Sequence, residues 1–230
     1  MVLVDGSRLT SLRLVMITTA HSKSLPTFSK NRLNQALVII YAAVWIWAAI
    51  HPLQFSDWLL ENILVVAAVA FIIWLARVQL LSDVSNVMAT IFLILHTVGA
   101  HYTYSLVPLG DWLKDWAGFQ RNHYDRIVHF SFGLLIIYPL REMLLRSGIA
   151  PKRWAGFFAF TIIGTCSVFY ELMEWGAAVT VDPSAGDAFL GTQGDPFDSQ
   201  EDQAMALLGG VVTLATTRVI DAFSPRHRAA

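Results

Sequence analysis

Apolar residues crowd into six runs, approximately Leu33 to Ile50, Trp58 to Ala76, Val84 to His101, Ile127 to Leu145, Trp154 to Trp175 and Gln203 to Ile220. Each run approaches the roughly 20 residues that a helix needs to cross about 30 Å of hydrocarbon. Lipid offers the backbone no hydrogen-bond partner, so each run has to be a continuous helix. The pattern therefore predicts an all-α, polytopic transmembrane helical bundle of about six spans. Between the third and fourth runs, Asp111 to Trp116 alternates acid and tryptophan and predicts a short helix lying in the membrane interface. The first run follows Lys23, Lys30 and Arg32 as a signal sequence would. Ala48-Ala49-Ile50-His51-Pro52 is not a small-residue cleavage pattern, so the run is expected to stay as an anchor. The organisation expected is a polar cytoplasmic tail over 1–32, a membrane domain over 33–221 and a second tail over 222–230.

Composition agrees with that pattern. Of 230 residues, 55% are hydrophobic and 14% charged, against roughly 25% charged in soluble domains. The mean hydropathy is +0.53. A formal net charge of −1 hides a strong asymmetry. With the N-terminus inside, only Lys114, Arg121 and Arg126 of the 16 Lys and Arg residues fall on outer segments. Basic residues are retained on the cytoplasmic side, so both ends are expected there. Trp58, Trp112, Trp116 and Trp175 then mark the outer ends of spans, where aromatic belts form. The basic residues form small groups between apolar runs rather than one face, which argues against a nucleic-acid partner. The single cysteine, Cys166, excludes an internal disulfide and a cysteine-rich metal site.

Ionisable side chains inside spans are costly in lipid and point to function. In this topology they gather at one level. Span three brings His96 and His101 toward the outer face, and span four begins with His123, Asp125 and then His129 one turn deeper. Span five ends with Glu171 and Glu174, and span six starts near Asp198 and Asp202. Asp125 with His129, Glu171 with Glu174, and Asp198 with Asp202 each have a spacing that shares one helix face. Carboxylates brought together in a low dielectric require a cation or shared protons. Imidazole with carboxylate suits zinc, iron or manganese. The candidate metal ligands are Asp125, His129, Glu171, Asp198 and Asp202, with His123 and Glu174 as candidate proton-transfer residues. Simpler roles exist for some of them. Asn122 with Asp125, and Asp198 with Glu201, have the spacing of helix caps. His96 alone suits a hydrogen-bonded packing role, and Tyr102, Tyr104 and Trp175 suit the interfacial belt. Gly133, Gly164 and Gly209-Gly210 are expected to let helices approach closely, and Pro139 to kink its helix.

Three long segments carry a family resemblance: His101-Tyr102-Thr103-Tyr104-Ser105-Leu106-Val107-Pro108-Leu109-Gly110, Arg121-Asn122-His123-Tyr124-Asp125-Arg126-Ile127-Val128-His129-Phe130, and Gly191-Thr192-Gln193-Gly194-Asp195-Pro196-Phe197-Asp198-Ser199-Gln200. They resemble the YjdF-type bacterial inner membrane proteins, over about Asn34 to Ile220. The resemblance implies a multi-pass protein of the bacterial inner membrane and carries no reaction with it. A shorter likeness to VanZ-like membrane proteins rests on Asp125-x-x-x-His129, Tyr170-Glu171 and the acidic start of the last span. Glu174 and Asp202 depart from it, standing where amides would be expected.

Three functions fit these residues. One is a metal-dependent hydrolase acting on a lipid head group or a small molecule on the periplasmic side. Another is a proton-coupled transporter, although transport sites favour the midplane between inverted repeats and the chain has no such repeat. The third is a sensor or accessory role in which the polar cluster holds helix ends together. Membrane lipid is the expected surrounding in all three.

Overall fold

The computed structural model of the chain describes residues 31–180 and 192–223. The expected tails, apart from their residues next to the spans, lie outside this description, as do Asp182 and Asp187 of the acidic outer segment. Within it the fold is all-helical: α1 (Arg32–Ala49), α2 (Phe55–Arg77), α3 (Asp83–Tyr102), α4 (Pro108–Ala117), α5 (Tyr124–Arg146), α6 (Lys152–Thr180) and α7 (Asp198–Phe223). All but α4 are long and apolar enough to span a membrane. The helices reach past the apolar runs because their ends are polar. Asn31 caps α1 by accepting from the Asn34 amide, and Ser82 caps α3 by accepting from Ser85. The last span begins at Asp198 rather than Gln203, adding an acidic first turn that the helix dipole favours. The expected interfacial helix is α4, with Trp112 and Trp116 stacked and exposed on it.

The central helix is α5, which packs against α3, α6 and α7, while α1 and α2 lean on α3. The α5–α7 contact is backbone against backbone. A Cβ at Gly133 would collide with the Ala206 carbonyl, and one at Gly209 with the Phe130 carbonyl. Thr213 donates to the Leu134 carbonyl at 2.6 Å across the same seam. Below it, Ile137, Ala155, Ala159, Ile163 and Ala206 form an apolar core. Pro139 lies inside α5 without ending it. Polar pins hold the outer helices. Tyr41 shares a hydrogen bond with Thr97 at 3.2 Å, Trp45 donates to Asn62 at 2.6 Å, and His101 meets the Ala48 carbonyl at 2.9 Å.

The outward faces are apolar. Ile39, Ile63 and Phe169 are 69%, 63% and 62% exposed. Such surfaces would be costly in water and are natural against lipid tails. Two belt expectations change. Trp58 is buried beside Trp45 and Phe55, and Tyr104 is buried. Tyr104 follows Thr103, and both have left-handed backbone, with φ of 49° and 55°. That double turn is unusual for residues with a Cβ. It folds the Tyr104 ring back over Gly99, filling the space that a side chain there would need.

Candidate functional site

Helix periodicity places Asp125 and His129 one turn apart on the buried face of α5, and α6 and α7 bring carboxylates to meet them. His129 Nε2 lies 3.6 Å from Asp125 Oδ1 and 3.4 Å from Glu171 Oε1. Asp125, His129 and Asp202 each offer one ligand atom, all within 4.8 Å of one another. Asp202, Glu171 and His129 are 2%, 7% and 7% exposed. Asp125 Oδ1, Glu171 Oε1 and Asp202 Oδ1 are buried and have no hydrogen-bond partner among the described residues. An ionised carboxylate oxygen left so in a protein interior carries a large desolvation cost. Three of them around one imidazole call for a positive charge or shared protons. Glu174, one turn beyond Glu171, borders the same group, near Tyr170 and Asp125.

Asp198 goes elsewhere. Its Oδ1 lies 2.6 Å from Arg121 and 3.4 Å from Arg126. Arg126 also pairs with Asp195 at 2.7 Å and with Glu201. Two arginines thus compensate the outermost acids and leave Asp202, one turn deeper, to face α5. His123 also lies outside the cluster. It accepts from Arg126 at 3.0 Å and meets the Phe119 ring edge-on, bordering a separate cavity of about 510 Å³ under α4. Burial, then the charges of Arg126 and Arg121, holds its imidazole below the ordinary histidine range, so it is neutral near pH 7. The expected caps are rearranged. His123 precedes α5 without a side-chain cap, and Asn122 accepts from the Tyr124 amide while donating to the Val107 carbonyl. Ahead of α7, Asp195 accepts from the Phe197 amide.

Asp195 links this lid of charges to pH. Its bond from the Phe197 amide, then Arg126, holds its carboxyl below the usual aspartate range. A depressed pKa in the folded state adds stability above the unfolded value of about 3.9 and loses it as pH falls through the folded value. Arg121, Arg126, His123, Asp198 and Glu201 face the same spot. Asp195→Asn is expected to shrink the drop in melting temperature between about pH 5 and pH 2. Detergent melts across that range check it, and an unchanged slope would contradict it.

The residues match a known family. The DUF2238 family, described as predicted membrane proteins, matches residues 33–222. The chain belongs to the DUF2238 family. It is also similar to inner membrane protein YjdF of Escherichia coli (strain K12), 36% identical over 183 residues that cover 79% of this chain and 84% of that protein. No solved structure matches. The resemblance read from the three segments is therefore borne out, as is a multi-pass protein of the inner-membrane kind. This DUF2238 chain has the helical content expected of it.

Sequence reasoning missed part of the DUF2238 site. Glu61 of α2 is 6% exposed, accepts from Tyr170 at 2.8 Å, and lies 3.6 Å from His96 Nε2. On the other side of its ring, His96 Nδ1 shares a 2.6 Å hydrogen bond with the Tyr104 hydroxyl. The Tyr170 ring stands edge-on to both His96 and His129, at 6.4 and 5.5 Å. The signal was available: Glu61 is the lone charge inside the second apolar run. Tyr104 gave none, because its burial depends on the left-handed turn after α3.

Proposed function

We propose that the chain is a membrane enzyme that binds a divalent cation on Asp125, His129 and Asp202 and hydrolyses a lipid head group or a small molecule near the membrane face. The carrying observation is the set of partnerless, buried oxygens of Asp125, Glu171 and Asp202 around His129. Atoms around a tetrahedral ion at about 2 Å stand roughly 3.3 Å apart, so a modest closure of three side chains would suffice. Imidazole with two carboxylates suits zinc, iron or manganese. Such an ion, when bound, lowers the pKa of a coordinated water.

The chain's own residues supply the rest. Glu171 stands beside His129 and can take the proton of the attacking water. Glu174 would return a proton to the leaving oxygen, with the Tyr170 hydroxyl, held by Glu61, beside it. Hydrolysis then adds water across the bond that is cleaved. With both termini cytoplasmic, as the basic residues favour, the site opens near the periplasmic face of the inner membrane. The salt-bridged acids, Asp195, Asp198 and Glu201, are structural in this reading. A transport route has less support, because among the described residues the cavity lining deeper than His129 holds no acid, imidazole or basic side chain, only apolar ones with Ser167 and Cys166.

Metal analysis tests the proposal. Protein purified without chelator, or reloaded with zinc, iron or manganese, is expected to hold about one ion per chain, and His129→Ala to hold none. A wild-type protein that retains none of the three ions overturns it.

A further inference from the structure

The histidines and acids form one end of a larger space. A cavity of about 580 Å³ reaches from His96, Tyr104, Asp125, His129 and Tyr170 down between α2, α3, α5 and α6, within the range of about 300–1,000 Å³ typical of ligand pockets. Away from its polar end the walls are mostly apolar, with Ala67, Ala68 and Phe71 of α2, Phe92 and Leu93 of α3 and Phe132 of α5, and with the Ser167 hydroxyl of α6 among them. On α2 the lining runs from Leu64 to Phe71, so the space descends roughly 10 Å along that helix at about 1.5 Å per residue. Its side is open. Ala67 and Phe71 on α2, and Cys166, Phe169 and Met173 on α6, line it and are also exposed on the outer surface. At the polar end, a hydrogen bond from Tyr170 to Glu61 joins α6 to α2.

We propose that this cavity holds one hydrocarbon chain of a bilayer phospholipid, which enters sideways between α2 and α6 and leaves its head group at Asp125, His129 and Tyr170. The inference rests on the proposed head-group chemistry for its purpose, but the seat for the chain does not need the cation. Three observations favour this occupant over a water-soluble one. The opening faces the side of the bundle that lies against lipid. The wall below the histidines carries no acid, imidazole or basic side chain among the described residues, its polar atoms being those of Ser167 and Cys166. The acid, imidazole and phenol groups of the lining stand at the end nearest the helix termini, where a head group would sit. An apolar chain filling such a space gains by leaving no unfilled volume against the aromatic walls.

Proteoliposomes containing a phosphatidylethanolamine with a photoactivatable acyl chain test this. After illumination, adducts are expected on inner-wall residues such as Phe92 and Phe132. Further adducts on outward residues such as Ile39 report the surrounding bilayer. Ala68→Trp fills the cavity and is expected to reduce inner-wall adducts at least about tenfold while sparing Ile39. Val66→Trp, exposed on the other side of α2, should leave both unchanged. A second readout needs no substitution. Cys166, the sole cysteine, borders the opening, and a bulky maleimide on it should block the inner adducts in the same way. Chelator should not change any of these results, so loss of the metal reading alone leaves this one standing. Adducts confined to outward faces, or inner adducts untouched by both blocks, would overturn it.

Discussion

Asp202→Asn is expected to move the melting temperature in opposite directions with and without metal. In metal-free protein it removes one of three buried carboxylates that face each other across His129, so like-charge repulsion falls and stability rises. With zinc or manganese present, the wild type gains about 2.7 kcal/mol at an ion concentration near 100 times Kd. For a chain of this size that is a rise of roughly 5–10 °C. The variant loses a ligand and with it most of that gain. His129→Ala also loses the metal shift, but its metal-free form should be less stable than wild type, because the oxygens of Asp125 and Glu171 then face no imidazole. Paired melts with chelator and with metal separate the cases. If Asp202→Asn merely destabilises the metal-free protein, the cluster is a structural hydrogen-bond network and not a cation site.

Gly209→Val should give one of the largest losses of stability in the bundle, alongside the same change at Gly133. Its side chain would have to occupy the position of the Phe130 carbonyl, which belongs to the facing helix and cannot rotate aside. Overpacking of this kind costs about 1–3 kcal/mol where side chains can yield, and more where backbone must move. Separating α5 from α7 would also draw Asp202 away from Asp125 and His129, so metal retention should fail together with folding. The opposing control is Gly176→Ala on α6, where an added Cβ meets nothing within 4 Å. Within the helix, near its described end, that change should be neutral or stabilise by up to about 0.5–1 kcal/mol. Unfolding in mixed detergent ranks the three proteins. Equal stability of Gly209→Val and wild type would mean that the α5–α7 seam is not as tight as described.

The polar cluster sits where packing is closest. Gly133 and Gly209 let α5 and α7 touch, and that approach is what places Asp202 within reach of His129. The two arginines at the helix ends complete the division of labour. They take up Asp195, Asp198 and Glu201 in salt bridges, whereas the salt-bridge partner of Asp125 and Glu171 is His129.

The sequence by itself determined the number of spans, the interfacial helix and the level at which ionisable groups gather, because each depends on local hydropathy and on rise per residue. It also placed Asp125 with His129, since a four-residue spacing puts two side chains on one face of any helix. Only the tertiary structure decided which acids meet. Asp198 and Asp202 share a face and a spacing, yet one turns to Arg121 and the other to His129, because helix order and the depth of the α5–α7 seam are absent from periodicity. Glu61 and Tyr104 entered the site in the same way, one across an interhelical gap and the other through a left-handed turn. Neither relation between distant residues leaves a repeat for a sequence pattern to display.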